Sequence, residues 1–566
     1  YDGARLVYTL FRNRNDIHPM KTIVRYSRLP VALFFCLLGA VHLSVEAQML
    51  NTPFELSDQI VLSPTERQYR EICVQTKEKR GADLFPLSDK LRDSAYVRFG
   101  SAYGDIAGDY LPYNGNNYSS LSLESGGRIS VRNYGTLQGS ASYSRGMHKR
   151  IGWNALRNAE AYYPYLVSDS TGGDYHFEDY RLAGYYSFRA GRLPLGIGFS
   201  YRGEVAYRLT DPRTTNTTGA LELSCATSLT LPRENRLSLS AAYLYHRQHL
   251  TQYNWRPGQQ DKFFVSYGFG QVDVSNSPIW FGISRMNYVN GWKLSSRLDT
   301  RRGDAIGLDY SGYFLDTEER SSINLFALLY NRLRLYGSWH LSDFDFSFSA
   351  DYALRQGIER IYEDYKPDDN YHIYDLRILA IRRWYMLNEF SAQAQASYRI
   401  RTDRGCALRV SAGSDFYGYD ETYRKHGHHT MSGMLRPFAG IAYDHAGSKL
   451  DFGLSLSAAY RMVLTHSYKI RTIQKEQLDY QLAYLPYAYR NREGVEVRSS
   501  LYVSIPMQNT HRLMTELRLY GDLMKRKDGI AYGKTPGVIS HILSDPQAER
   551  TSGHTIGAIC NISYLF

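Results

Sequence analysis

What this chain of 566 residues lacks narrows it first. Beyond Val41 no stretch approaches the ~20 consecutive apolar residues that a membrane-spanning helix needs, so no such helix is expected. Cysteine is scarce, five in all, and no CxxC pair occurs. Cys73, Cys225, Cys406 and Cys560 are therefore read as small apolar side chains or unpaired thiols, not as a disulfide framework or a zinc site. Basic helices and nucleic-acid-binding motifs are also missing. The formal net charge of +11 then points to anionic lipid phosphates and not to nucleic acid.

The N-terminal part reads as an export signal. Met20 is the first residue that fits a start, which makes residues 1–19 mis-called upstream sequence. Lys21, Arg25 and Arg28 precede the apolar run Pro30–Val41, and Val45-Glu46-Ala47 offers a cleavage site before Gln48. This is the pattern of a secretory signal peptide over residues 20–47. Phe35 stands where a lipoprotein box before Cys36 would need a small residue. Residues 48–93, charged in the middle, are expected to form a short periplasmic segment. They are too few for the plug domain of a TonB-dependent transporter.

What is abundant is tyrosine, 50 residues, together with strict alternation. At the C-terminal end Ile556, Ala558, Cys560, Ile562, Tyr564 and Phe566 alternate with a small or polar set. The same period of two runs through Leu237–Tyr245, Phe344–Leu354, Leu450–Tyr460 and Val495–Ile505. A strand with one greasy and one wet face, long enough to cross a bilayer on a tilt, is the unit of a membrane barrel. Mean hydropathy is only −0.43 because half of every such strand and all of the loops are polar. The tyrosines are expected at the two membrane–water interfaces, where a ring is buried and its hydroxyl wetted. The ending Ile562, Tyr564, Phe566 resembles the terminal signal of bacterial outer-membrane proteins, which the barrel-assembly machinery reads.

The expected fold is all-β. Residues 94–566 form a transmembrane antiparallel β-barrel of the bacterial outer membrane, with about 20 strands and 18–22 admissible, the number being even. Short connections at Asn133-Tyr134-Gly135, Ala190–Pro194, Pro232–Asn235, His445–Ser448 and Pro506–Thr510 should face the periplasm. Long ones at Gly146–His176, Gln356–Tyr371, Thr465–Glu493 and Leu523–Thr551 should face outward. Asp273–Arg302 and Arg382–Asn388 do not segment cleanly.

Asp451, Arg461, Glu496, Arg498, Arg512, Glu516 and Arg518 fall on the polar faces of the C-terminal strands and are the lumen-facing candidates. They would set a selective field in an open pore or pair across strands to stiffen a filled one. His426, His428 and His429 are weak metal-ligand candidates. No spacing around His340, His372, His466 or His541 marks a catalytic triad. No enzyme activity and no cofactor is expected.

Signal peptide, tyrosine-rich strands, the segment Tyr201-Arg202-Gly203-Glu204-Val205-Ala206-Tyr207-Arg208 with Asp211-Pro212-Arg213, and the aromatic end at Phe566 together resemble the outer-membrane β-barrel proteins of Bacteroidota, a family of unknown function. The resemblance implies company with a TonB-dependent transporter, while the excess of positive charge on an outer-membrane protein points to contact with lipopolysaccharide. The expected role is a channel or accessory subunit of nutrient or metal uptake. The alternative is a receptor, adhesin or structural barrel with a plugged lumen, and a hydrolase is the least favoured reading.

Overall fold

The structure is a computed structural model. It describes residues 93–566 except 109, 132–133, 170, 192, 256–262, 275–282, 320–322, 366–374, 402–405, 448, 471–479, 508–510 and 527–551. The upstream residues, the signal peptide and nearly all of the 48–93 segment lie outside the described residues.

Alternation translates directly into strands. The first half of the chain gives β1 (Ser94–Ala107), β2 (Asn117–Val131), β3 (Gly135–Ile151), β4 (Val167–Asp169), β5 (Gly173–Ala190), β6 (Leu193–Arg208), β7 (Arg213–Thr230), β8 (Arg236–Tyr253), β9 (Phe263–Gly268), β10 (Gln271–Val274) and β11 (Ile283–Asp299). The second half gives β12 (Ala305–Glu319), β13 (Ile323–Leu341), β14 (Phe344–Tyr365), β15 (Asp375–Arg401), β16 (Cys406–Tyr423), β17 (His428–Ala446), β18 (Asp451–Lys469), β19 (Arg492–Pro506), β20 (Arg512–Arg526) and β21 (Ser552–Leu565). Two short helices, α1 (Ala159–Tyr162) and α2 (Leu485–Arg490), interrupt long connections.

Eighteen of these strands pair antiparallel in one sheet, and β1 meets β21 to close it. Closure leaves no edge to aggregate. At the seam the Phe566 amide donates to the Ala95 carbonyl at 2.9 Å, and Ala95 returns the bond at 3.3 Å. The terminal aromatic residue is thus a rung of the ladder. Its ring and that of Tyr564 pack edge-on against His511.

The strand count of 18 lies at the low end of the expected range for two physical reasons. Asp273–Arg302 contains only β11 of the barrel wall, because β9 and β10 leave it and form a separate three-stranded sheet with β4. Arg382–Asn388 is interior to the 27-residue β15. There two register shifts against β14, at Gly357/Glu359 and Ile361/Tyr362, break the alternation. The Gln356–Tyr371 connection is correspondingly shorter than expected, since β14 runs to Tyr365.

Register sorts the side chains. On β18, β19 and β20 the outward set includes Leu454, Leu456, Val495, Val497, Leu501, Leu517 and Leu519, all exposed. The inward set includes Asp451, Ser455, Glu496, Ser500 and Glu516, all buried. Tyrosine does not follow the expectation of interface belts alone. Tyr103, Tyr143, Tyr180, Tyr352 and Tyr460 are exposed, but Tyr96, Tyr113, Tyr162, Tyr165, Tyr175, Tyr313, Tyr385, Tyr423 and Tyr484 are buried inside. A wide lumen needs large side chains with a polar tip, and tyrosine supplies both.

These faces predict unequal tolerance. Leu456, 51% exposed on the outer wall, should lose about 2–4 kcal/mol on replacement by Arg. Ser347→Arg, facing the lumen near the terminal end, should stay within about 0.5 kcal/mol. Urea midpoints read by heat-modifiable electrophoretic mobility would show it, and equal losses on both faces would mean an inverted register.

Candidate functional site

A barrel of 16–18 strands ordinarily leaves an aqueous channel, so its inner wall should be wet. Here Asn216, Gln248, Gln252, Arg285 and Asn287, on the inner faces of β7, β8 and β11, are 0–1% exposed. They are covered because the described parts of three connections at the end opposite the termini fold inward.

The main one joins β3 to β5. Ala155, Leu156, Ala159, Tyr162, Tyr165, Leu166 and Val167 form one apolar cluster with wall residues Leu244, Leu250, Val289, Tyr313, Leu315, Phe326, Leu328 and Tyr330. Tyr165 stacks on Phe326 with ring centroids 4.5 Å apart. Tyr162 Oη lies 2.7 Å from His246 Nε2. Burial holds the Tyr162 phenol well above its ordinary pKa, which keeps it neutral and able to donate.

A loop inside a barrel has main-chain groups with no strand beside them, and an unpaired buried group costs about 1–3 kcal/mol. The wall supplies the partners. Asn216 donates to the Ala155 carbonyl at 2.8 Å and accepts from the Arg157 amide at 3.2 Å. Gln248 donates to the Arg157 carbonyl at 3.1 Å. Arg285 donates to the Tyr165 carbonyl at 2.7 Å, and Arg355 to those of Glu160 and Tyr163 at 2.7 and 3.2 Å.

Charges latch both ends of the loop to β6. Arg157 pairs with Glu204 at 2.7 Å, and Arg202 joins Glu204 at 3.1 Å and Asp179 at 2.8 Å. At the far end Asp169 accepts from Arg208 at 2.7 Å and from Gln252 at 2.6 Å. Arg208 also donates to the Pro212 carbonyl. Glu204, Arg208 and Pro212 all belong to the motif singled out in the sequence, so its role is to hold the plug.

The β9–β10 hairpin pairs through β9 with β4 and buries Phe269 among Tyr385, Leu387, Tyr419 and Tyr423. The β18–β19 connection places Tyr484, Tyr487 and Ala488 in a further cluster. There Arg490 lies 3.5 Å from Glu421.

All seven candidate charges face the lumen, and each has a protein partner. Asp451 pairs with Arg512, and Glu516 with Arg518. Glu496 holds Arg436 at 2.7 Å and Arg498 at 3.3 Å. Arg461 donates to the Arg490 carbonyl and lies 2.9 Å from Met434 Sδ. The histidines diverge. His426 and His428 have ring centroids 5.6 Å apart, with His428 buried against Phe269. His429 points to the other face of β17, 3.3 Å from Asp420. Among the described residues no group of three or more His, Cys, Asp or Glu side chains could hold a metal ion. Cys225, Cys406 and Cys560 form no disulfide, Cys406 Sγ lying 3.2 Å from His445 Nδ1, and Cys73 lies outside the described residues.

Sequence reading held a plugged lumen only as the alternative, and it missed which loop forms the plug and which residues anchor it. The available signal was the placement of Asn216, Gln248, Arg285 and Asn287, amide- and guanidinium-bearing side chains, on inner faces where serine serves elsewhere.

Similar solved structures include the ferric preacinetobactin receptor BauA of Acinetobacter baumannii, with 8% identity and a TM-score of 0.37 over 83% of this chain and 80% of that one. The FrpB iron transporter of Neisseria meningitidis gives 8% and 0.36 over 85% and 83%. OccAB1 of A. baumannii gives 10% and 0.29 over 86% and 99%. No curated protein matches the chain in sequence. The model of a family of unknown function, DUF6850, matches residues 85–555.

The latch gives a sign-definite prediction. Arg208→Leu leaves the buried Asp169 carboxylate hydrogen-bonded but without its counter-charge and should weaken plug docking by about 3–5 kcal/mol. Replacing Asp169 and Arg208 together with Leu should recover most of that. Trypsin cleavage at Arg157 in isolated outer membranes should appear in the single variant and fade in the double one.

Proposed function

We propose that this chain, which belongs to the family of unknown function DUF6850, works as a loop-plugged receptor or accessory barrel of an uptake system in the outer membrane of a Gram-negative bacterium, and not as an open pore. The observation that carries this is the dry inner wall: polar side chains of β7, β8 and β11 at 0–1% exposure beneath a plug that the wall itself hydrogen-bonds.

Short turns such as Leu341–Phe344 and both chain ends of the barrel lie at one end, which the usual polarity of such barrels assigns to the periplasm. The plug then sits at the cell-surface end. Arg145, Lys149 and Arg247 are exposed on the outer face toward that end, at the level of lipopolysaccharide phosphates. Assembly through Ile562, Tyr564 and Phe566 by the barrel-assembly machinery belongs to the same reading.

The plug is a set of wall-anchored loops. Among the described residues it includes no independent domain that an energising partner could withdraw from below. The barrel therefore serves an energised transporter, a TonB-dependent one by the family resemblance, and does not drive import alone.

Planar-bilayer recordings test the reading. The intact protein should give no steps of the size of an open 18-stranded pore. A variant with residues 155–167 replaced by a Gly/Ser linker should give them, folding being checked by heat-modifiable mobility. Steady large conductance from the intact protein would overturn the reading.

A further inference from the structure

The plug does not fill the lumen evenly. Between it and the wall of β2, β3 and β5 lies a cavity of about 380 Å³. This is within the usual range for small-molecule sites. One side is an aromatic shelf. Tyr118 and Phe177 stack with centroids 6.0 Å apart at 12°, and His148 meets Tyr118 edge-on at 4.7 Å. The Arg157 guanidinium caps Phe177 at 4.5 Å. The lining also includes Asn114 and Asn116 of the β1–β2 connection and Asn158 of the plug loop.

We infer that this cavity binds a neutral saccharide of one or two rings. The inference rests on the plugged reading, because the β3–β5 loop supplies one wall. The charges set the class. Arg157 is paired with Glu204, and Arg202 and Arg181 with Asp179. Glu160 accepts from Asn114 at 3.2 Å. With its ionic groups balanced, the site offers no net field to select an anion or a cation.

It does offer carboxamides that both donate and accept, beside the half-buried ring of Tyr118, which the buried and capped Phe177 backs. A ligand that uses both needs many hydroxyls and an apolar C–H face. A sugar has both. A fatty chain would strand the amides, and a phosphate would have to break ion pairs already made.

The test uses the detergent-purified full chain on an array of neutral and acidic glycans, with inorganic phosphate as competitor. Binding is expected on neutral glycans and should be insensitive to phosphate. Tyr118→Leu, which keeps apolar volume but removes the ring, should weaken it about tenfold, and Asn114→Ala should weaken it independently. Heat-modifiable mobility shows whether each variant is folded. No neutral glycan bound, a preference for acidic glycans, or displacement by phosphate would overturn the inference. So would binding that both variants leave unchanged, since the site would then lie elsewhere. Silent bilayers with an empty array would sink this inference and leave the plugged reading standing. Open conductance would sink the plugged reading itself.

Discussion

The hydrogen bonds from inner-wall side chains to the main chain of the β3–β5 loop are the constraint on which the interior depends. Irregular backbone is normally kept at the surface because its polar groups cannot be satisfied inside. Asn216, Gln248, Arg285 and Arg355 remove that obstacle at five carbonyls. Once the backbone is satisfied, Leu156, Tyr162, Tyr165 and Leu166 can bury apolar surface against the wall. The gain is about 25 cal/mol per Å² removed from water. Without those bonds the same apolar residues would pull unpaired carbonyls into the lumen, at a cost comparable to the gain.

The charges follow the same logic. A lone charge inside the barrel would be costly, whereas a paired and hydrogen-bonded one is tolerated. The lumen accordingly holds compact sets: Arg436 between Asp415 and Glu496, Asp451 with Arg512, and Glu516 with Arg518. Pairing spends the field that an ion-selective filter would need. It ties strands together across the inner wall instead, Arg436 of β17 to β16 and β19 and Asp451 of β18 to Arg512 of β20, which suits a barrel that must keep its wall in register with a plug.

The barrel was legible in the sequence because period-two alternation is forced wherever lipid lies on one side and a polar lumen on the other. The faces of β18–β20 could be read residue by residue for that reason. Legibility failed where a second constraint overrode the first. In β15 the register shifts of its partner slide the pattern. In β9 and β10 the strands belong to an inner sheet with no lipid face. The plug has no periodicity at all. Ala155, Leu156, Tyr162, Tyr165 and Leu166 look like an ordinary long loop until the wall residues that receive them are known. The Arg202–Arg208 segment stood out as a motif, but its meaning needed Arg157 and Asp169, distant in sequence and adjacent only in the fold.

Building a plug from loops has a consequence that a separate plug domain would not. Each end of the β3–β5 loop continues directly into a barrel strand, and its latches sit on one strand, β6, through Glu204 and Arg208. The loop therefore cannot leave the lumen whole. The two latches differ chemically. The Arg208–Asp169 pair is fully buried, 0% and 1% exposed, so breaking it demands full desolvated separation of charge. Arg157, 11% exposed, borders the cavity and holds Phe177 as well as Glu204. One guanidinium thereby joins the cavity wall at Phe177 to the plug's latch at Glu204.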